Sequence, residues 1–213
     1  WWSLPLFVLQ GVLLNFLYAP THECDHLTAF KSRWLNIWVA RICGFVIFNP
    51  SDHHRWTHFA HHRNTQDWEK DTELERPPFR TAVQYVFALS GLPLIRFKLA
   101  RIWRHAFISP QEWYLSPRQQ RQVQFAARWH IAGYALALAS AVMFGSWWVL
   151  YFWWGPFSLM RWSYMLQGLG EHTGLTHRPE TLFNTRTFRT GFFFRWVNSV
   201  SYTHLTLPTL LLV

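Results

Sequence analysis

Residues Thr21 to Phe30 read THECDHLTAF, with His22 and His26 four apart and Glu23 directly after the first histidine. On a helix, residues four apart share a face, so the two imidazoles project together. Two chemistries use this spacing. Read as His-Glu-x-x-His, the pair grips a zinc ion and Glu23 is the general base of a metalloprotease. Read only as His-x-x-x-His, the same residues form one arm of an iron site.

A second group decides between them. In SDHHRWTHFAHHRNTQD, Ser51 to Asp67, the residues His54, His58, His61 and His62 follow helical spacing and line one stripe. A single histidine is usually a surface or core group, but His-x-x-His-His close to His-x-x-x-His reads as a shared metal site. A zincin centre takes three protein ligands and leaves one position for water. Here at least five histidines compete, and the surplus has no role around one tetrahedral zinc. Asp52 is a poor substitute for the carboxylate that an intramembrane protease would draw from a distant helix, because it lies only a short loop away. Many neutral imidazoles with open positions suit two iron ions that bind dioxygen. Glu23 then orients a histidine through its outer ring nitrogen. Cys24 and Cys43 make no disulfide framework, and Cys24 between the histidines reads as a free buried thiol.

The elements that must position these groups are largely apolar. Residues 1–19 carry no charge and are long enough to cross a bilayer, at about 20 residues per span, with His22 following at once. Leu35 to Phe48 is too short for two crossings, and one crossing would put the two histidine groups on opposite faces. A re-entrant or interfacial helix is therefore expected there. Residues 81–107 mix apolar residues with Arg and Lys in the manner of a helix lying on a membrane surface. Two antiparallel spans are expected at about 127–144 and 147–167, turning at Gly145-Ser146, with Pro156 kinking the second and Arg161 facing the interior or an interface. Half of the chain is hydrophobic, with 15 Trp and 19 Phe, yet formal net charge is +9. Basic residues crowd beside apolar blocks, as in cytoplasmic loops of membrane proteins. Long apolar spans and the lack of a nucleic-acid motif argue against a nucleic-acid partner.

Taken together, His22-Glu-Cys-Asp-His26, Arg55-Trp-Thr-His58-Phe-Ala-His61-His62-Arg-Asn-Thr-Gln-Asp67 and Glu171-His172-Thr-Gly174 resemble the membrane fatty acid desaturase family, in its bacterial branch, from about residue 5 to Asn198. The resemblance implies an all-α integral membrane helical bundle with a cytoplasmic helical cap that carries the histidine boxes, in the bacterial inner membrane. It implies His22, His26, His58, His61, His62 and His172 as ligands of two iron ions, with dioxygen as co-substrate. A lipid acyl chain would be oxidised, and a haem or iron-sulfur carrier would supply electrons. Glu23, Arg55, Asp67 and Asp71 are expected behind the ligands or at the donor-docking surface. His53 and His54 fall outside the boxes, and His105, His130 and His177 have no motif around them.

Two departures bear on activity. Some members carry an asparagine one turn before the last-span histidine, where position 168 is Gly. The family's third box, of His-x-x-His-His type, is expected soon after a segment like Asn184 to Asn198, but SVSYTHLTLPTLLLV follows with only His204. Val200 to Thr209 matches one reading frame of a transposase-based sequencing adapter. Residues 199–213 are thus expected to be a non-native tail on a desaturase-like domain, 1–198, incomplete at both ends and inactive as it stands. The nearest rival is a hydroxylase or ketolase of alkanes, sterols or carotenoids on the same scaffold. A rival of another class is a histidine-rich membrane metal-binding protein, which would hold its ligands along a path within the bilayer.

Overall fold

The computed structural model describes residues 3–65, 67, 69–73 and 81–165. Every regular element among them is helical, in agreement with the all-α expectation. His172, Gly168, His177, His204 and the tail 199–213 lie outside the described residues.

Helices α1 (Ser3–Phe16) and α2 (Tyr18–Asp25) run on with a break only at Leu17. Together, Ser3–Asp25 is the one helical stretch among the described residues long and apolar enough to cross a membrane, judged by length and composition. Asn15, within the apolar part of this stretch, is fully buried. The Asn15 amide donates to the carbonyls of Gly11 (2.8 Å) and Phe157 (2.9 Å), and its oxygen accepts from Arg161 (3.1 Å). Gly11 lies against the backbone of Pro156, where any Cβ would collide, so α1 seats closely on α8 (Gly155–Leu159).

After α2, Leu27 takes a left-handed conformation (φ 63°), and the loop is tied by Asn36, whose side chain bonds Phe30 at both N–H and C=O. Helix α3 (Arg33–Val46) matches the short helix expected at 35–48. Its outward face is apolar, with Trp34, Trp38 and Ile42 exposed at four-residue spacing, while Asn36, Ala40 and Gly44 point inward. Phe48 is also left-handed (φ 55°) and turns the chain into α4 (Ser51–Arg63), the helix of the second histidine group. Arg41 makes a two-pronged pair with Asp52 (2.9 Å each), which fixes α3 to the first turn of α4.

The surface helix expected over 81–107 is in fact two, α5 (Ala82–Leu89) and α6 (Leu92–Phe107). Gly91 at φ 71° separates them, and Pro93 in the first turn of α6 lacks the N–H that a continuous helix would need. Helix α7 (Pro117–Met143) starts in a reciprocal capping box of Ser116 and Gln119 and ends before the turn at Gly145, as expected. The following helical run passes through a π-turn at Leu150–Trp154 before α8, so the irregularity begins ahead of Pro156.

The core gathers Ile47, Phe48, Ile102, Ala106, Ala127 and Phe157 beneath the histidine helices. Two terminal carbonyls of α3 are satisfied from outside: Tyr134 donates to Phe45 (2.9 Å) and Trp153 to Val46 (2.7 Å). Arg161 is buried as expected, its guanidinium 4.1 Å from the Tyr164 ring centre.

Candidate metal centre

Helix α2 and helix α4 bring the two histidine groups together. The ring centres of His22 and His58 are 4.4 Å apart, those of His26 and His62 5.0 Å, and those of His26 and His58 5.1 Å. One ligand nitrogen from each of His22, His26, His58 and His62 can be chosen so that all four lie within 4.8 Å of one another. Ligand atoms on opposite sides of one ion stand about 4.2 Å apart, so a small contraction would complete a coordination shell. The Nε2 atoms of His58 and His62 already face each other at 2.8 Å. His26 Nε2 is buried with no hydrogen-bond partner.

The outer nitrogens are held by carboxylates. His22 Nδ1 lies 3.2 Å from Glu23, His58 Nδ1 3.0 Å from Glu73 and His61 Nδ1 2.8 Å from Asp71. An ionised carboxylate only accepts, so each Nδ1 carries the proton and each Nε2 presents a lone pair. That is the carboxylate–histidine arrangement which fixes the tautomer of metal ligands. Burial first, and the charges of neighbouring histidines next, push His26 down to about 3 and His58 well below the ordinary value. Both are therefore neutral at pH 7, the form that binds metal.

The loop between α4 and α5 delivers two of these carboxylates. Thr72 Oγ1 donates to the Thr57 carbonyl (2.7 Å), which pins the loop on α4, and the Glu73 N–H bonds Asp71 (2.9 Å). His61 is adjacent to the four, its ring centre 5.8 Å from His58, and is not in the tight cluster. Asp67 accepts the N–H groups of Glu69 and Lys70 and shapes the turn instead. Arg55 lies over Trp56 (5.4 Å) and Phe59 (5.5 Å). Glu23 and Asp71 thus each face the outer nitrogen of a box histidine.

Sequence reasoning missed Glu73 and Asp25. Buried Asp25 accepts from Ser51 (2.6 Å) and from His54 Nδ1 (2.6 Å), locking α2 to α4. His54 in turn stacks on His58 at 5.4 Å with a 9° interplanar angle. The signal for Asp25 was its place directly before His26, between the two histidines of the first group. Cys24 is buried and outside the cluster.

Two helical segments that converge four imidazoles, two of them backed by carboxylates, form a histidine cluster compatible with a metal site. The fatty acid desaturase family model matches residues 1–204, and the chain belongs to that family. It is 27% identical over 162 residues to an sn-1 oleoyl-lipid 12-desaturase of Picosynechococcus sp., covering 72% of this chain and 46% of that protein. It is 29% identical over 109 residues to an sn-1 acyl-lipid omega-3 desaturase (ferredoxin) of Nostoc sp., covering 46% and 30%. A Delta(12) fatty acid desaturase of Calendula officinalis is 24% identical over 196 residues, covering 82% and 51%. The chain thus spans about half the length, or less, of these relatives. No solved structure matches.

Proposed function

We propose that this chain carries the iron-binding core of a membrane oxidoreductase that introduces a double bond into a lipid acyl chain, using dioxygen and a small electron-transfer protein. The observation that supports it most is the convergence of His22, His26, His58 and His62, with carboxylates behind His22 and His58. The donor set of neutral imidazoles fits iron, and His61 and His172 are proposed to extend it toward a second ion. Iron supplies the power to reduce dioxygen and attack an unactivated C–H bond. The protein's part is positioning. Glu23, Glu73 and Asp71 hold ring orientation, Asp25 and Ser51 lock α2 against α4, and the buried setting excludes water.

Membrane residence is supported by the apolar stretch Ser3–Asp25 and by the exposed apolar side chains of α1, α5 and the run from Trp147 to Trp162. We infer that the histidine helices lie at the cytoplasmic end of this span in the bacterial inner membrane, where Lys and Arg are abundant. The named relatives include an sn-1 acyl-lipid omega-3 desaturase (ferredoxin), which supports an acyl-lipid substrate and an iron-sulfur donor. The protease reading is disfavoured by Glu23, whose carboxylate is engaged on the outer nitrogen of His22.

The test is product analysis in lipid vesicles supplied with dioxygen and reduced ferredoxin. It uses a chain extended past Asn198 with a His-x-x-His-His segment. An unsaturated acyl product that disappears in His58→Ala is expected. A hydroxylated product would move the reading to a hydroxylase. Peptide cleavage with zinc as sole metal, lost in Glu23→Gln, would overturn it.

A further inference from the structure

A second cluster of ligand-bearing side chains lies apart from the histidine boxes. His53 on α4, His105 on α6 and Glu112 in the loop before α7 bring their ligand atoms within 4.8 Å of one another, sharing no residue with the four-histidine cluster. Both histidines are buried, and their ring centres are 4.8 Å apart. His105 Nε2 stands 2.7 Å from Glu112 Oε1 and His53 Nε2 3.7 Å from the same oxygen. Ligand atoms around a tetrahedral ion with bonds near 2.0–2.1 Å lie about 3.3–3.4 Å apart, and the two distances bracket that value.

The second oxygen of Glu112, Oε2, is buried with no hydrogen-bond partner. A carboxylate oxygen left so loses its hydration without return unless a cation or donor meets it. Tyr114 Oη closes a fourth side, 3.3 Å from His53 Nε2 and 3.1 Å from Thr57 Oγ1. Two guanidinium groups compete as cations: Arg104, at 3.9 Å but largely exposed, and partly buried Arg101, whose charge acts on Glu112, Tyr114 and His53 without a hydrogen bond to Glu112.

We propose that His53, His105 and Glu112 form a second metal site that takes one divalent cation of zinc type. Two imidazoles and one carboxylate leave a fourth position for water or the Tyr114 oxygen, a donor set and number that suit zinc. The three ligands come from separate elements, so the ion clamps α4 to α6 and to the 108–116 loop. A carboxylate that merely bridges two histidines by hydrogen bonds is the competing account.

Glu112→Gln separates the two, because a glutamine oxygen still accepts the His105 hydrogen bond but is a weak zinc ligand. Zinc and iron per chain are measured by elemental analysis in the purified protein, wild type and variant, together with the visible spectrum after cobalt(II) loading. The site predicts about one zinc in the wild type that withstands mild chelation, and its loss by tenfold or more in Glu112→Gln with iron unchanged. A tetrahedral cobalt spectrum is expected in the wild type even when the box is disabled by His26→Ala with His62→Ala. Zinc content unaffected by Glu112→Gln overturns the proposal. Should that variant not fold, a wild type with neither tetrahedral cobalt bands nor retained zinc overturns it, and bands altered by Glu112→Asp sustain it.

Discussion

Each box histidine has two faces, and the outer one sets what the inner one does. Asp71 is buried and holds His61 Nδ1 at 2.8 Å. Asp71→Asn is expected to weaken iron binding by roughly 10–100-fold, as read by iron titration. Unchanged affinity would contradict the assignment. A pH effect follows from the buried rings. His26 and His53 are each pushed down to about 3, burial being the main cause, and His58 goes well below its ordinary value. In the unfolded chain these groups protonate near 6.5, so below that pH the unfolded state binds more protons. Stability of the metal-free protein should therefore fall as pH drops from about 6.5, by up to about 1.4 kcal/mol per pH unit for each histidine, in denaturant melts. A flat profile from pH 7 to 5 would contradict the burial. The box histidines were legible because ligand spacing repeats with the helix. Glu73 and Asp25 were not, since their partners depend on how the 67–73 loop and α2 dock onto α4.

At the scale of elements, close approach is enforced at a few positions. Gly91 has φ 71° and its missing side chain is replaced by the Arg161 stem, while Gly145 has φ 59° with open space around it. Gly91→Ala should cost about 2–4 kcal/mol, from left-handed strain plus overpacking, and Gly145→Ala only about 1–2 kcal/mol from strain alone. Thermal unfolding in detergent compares them, and equal losses would contradict the packing of Arg161 on Gly91. The break between α5 and α6 was written in the sequence as Ser90-Gly91-Leu92-Pro93, but the apolar-basic mixture on both sides read as one surface helix. The turn at Gly145 was legible because it interrupts about forty apolar residues. The π-turn at Leu150–Trp154 was not, because no residue type in LYFWW marks it. It accompanies the bond from Trp153 to Val46.

For the whole molecule, α2, α3 and α4 form a scaffold that holds imidazoles at one end of an apolar span. The all-α architecture and the meeting of the two boxes were both legible, one from apolar run lengths and the other from crossing parity. A site of this kind requires ligands from several helices. His204 stands outside both boxes, so His204→Ala is expected to leave iron content and stability unchanged. Loss of iron in His204→Ala would make residues 199–213 a ligand-bearing element.

The central claim, that α2 and α4 share one iron centre, is tested most directly by iron per chain after anaerobic loading and removal of loosely held metal. Wild type is compared with His26→Ala on one segment, His62→Ala on the other, and the double variant. A shared centre predicts that either single change removes most of the bound iron and that the double change removes little more, because both histidines serve one shell. Iron retained in both single variants, or losses that add as for independent sites, would contradict it.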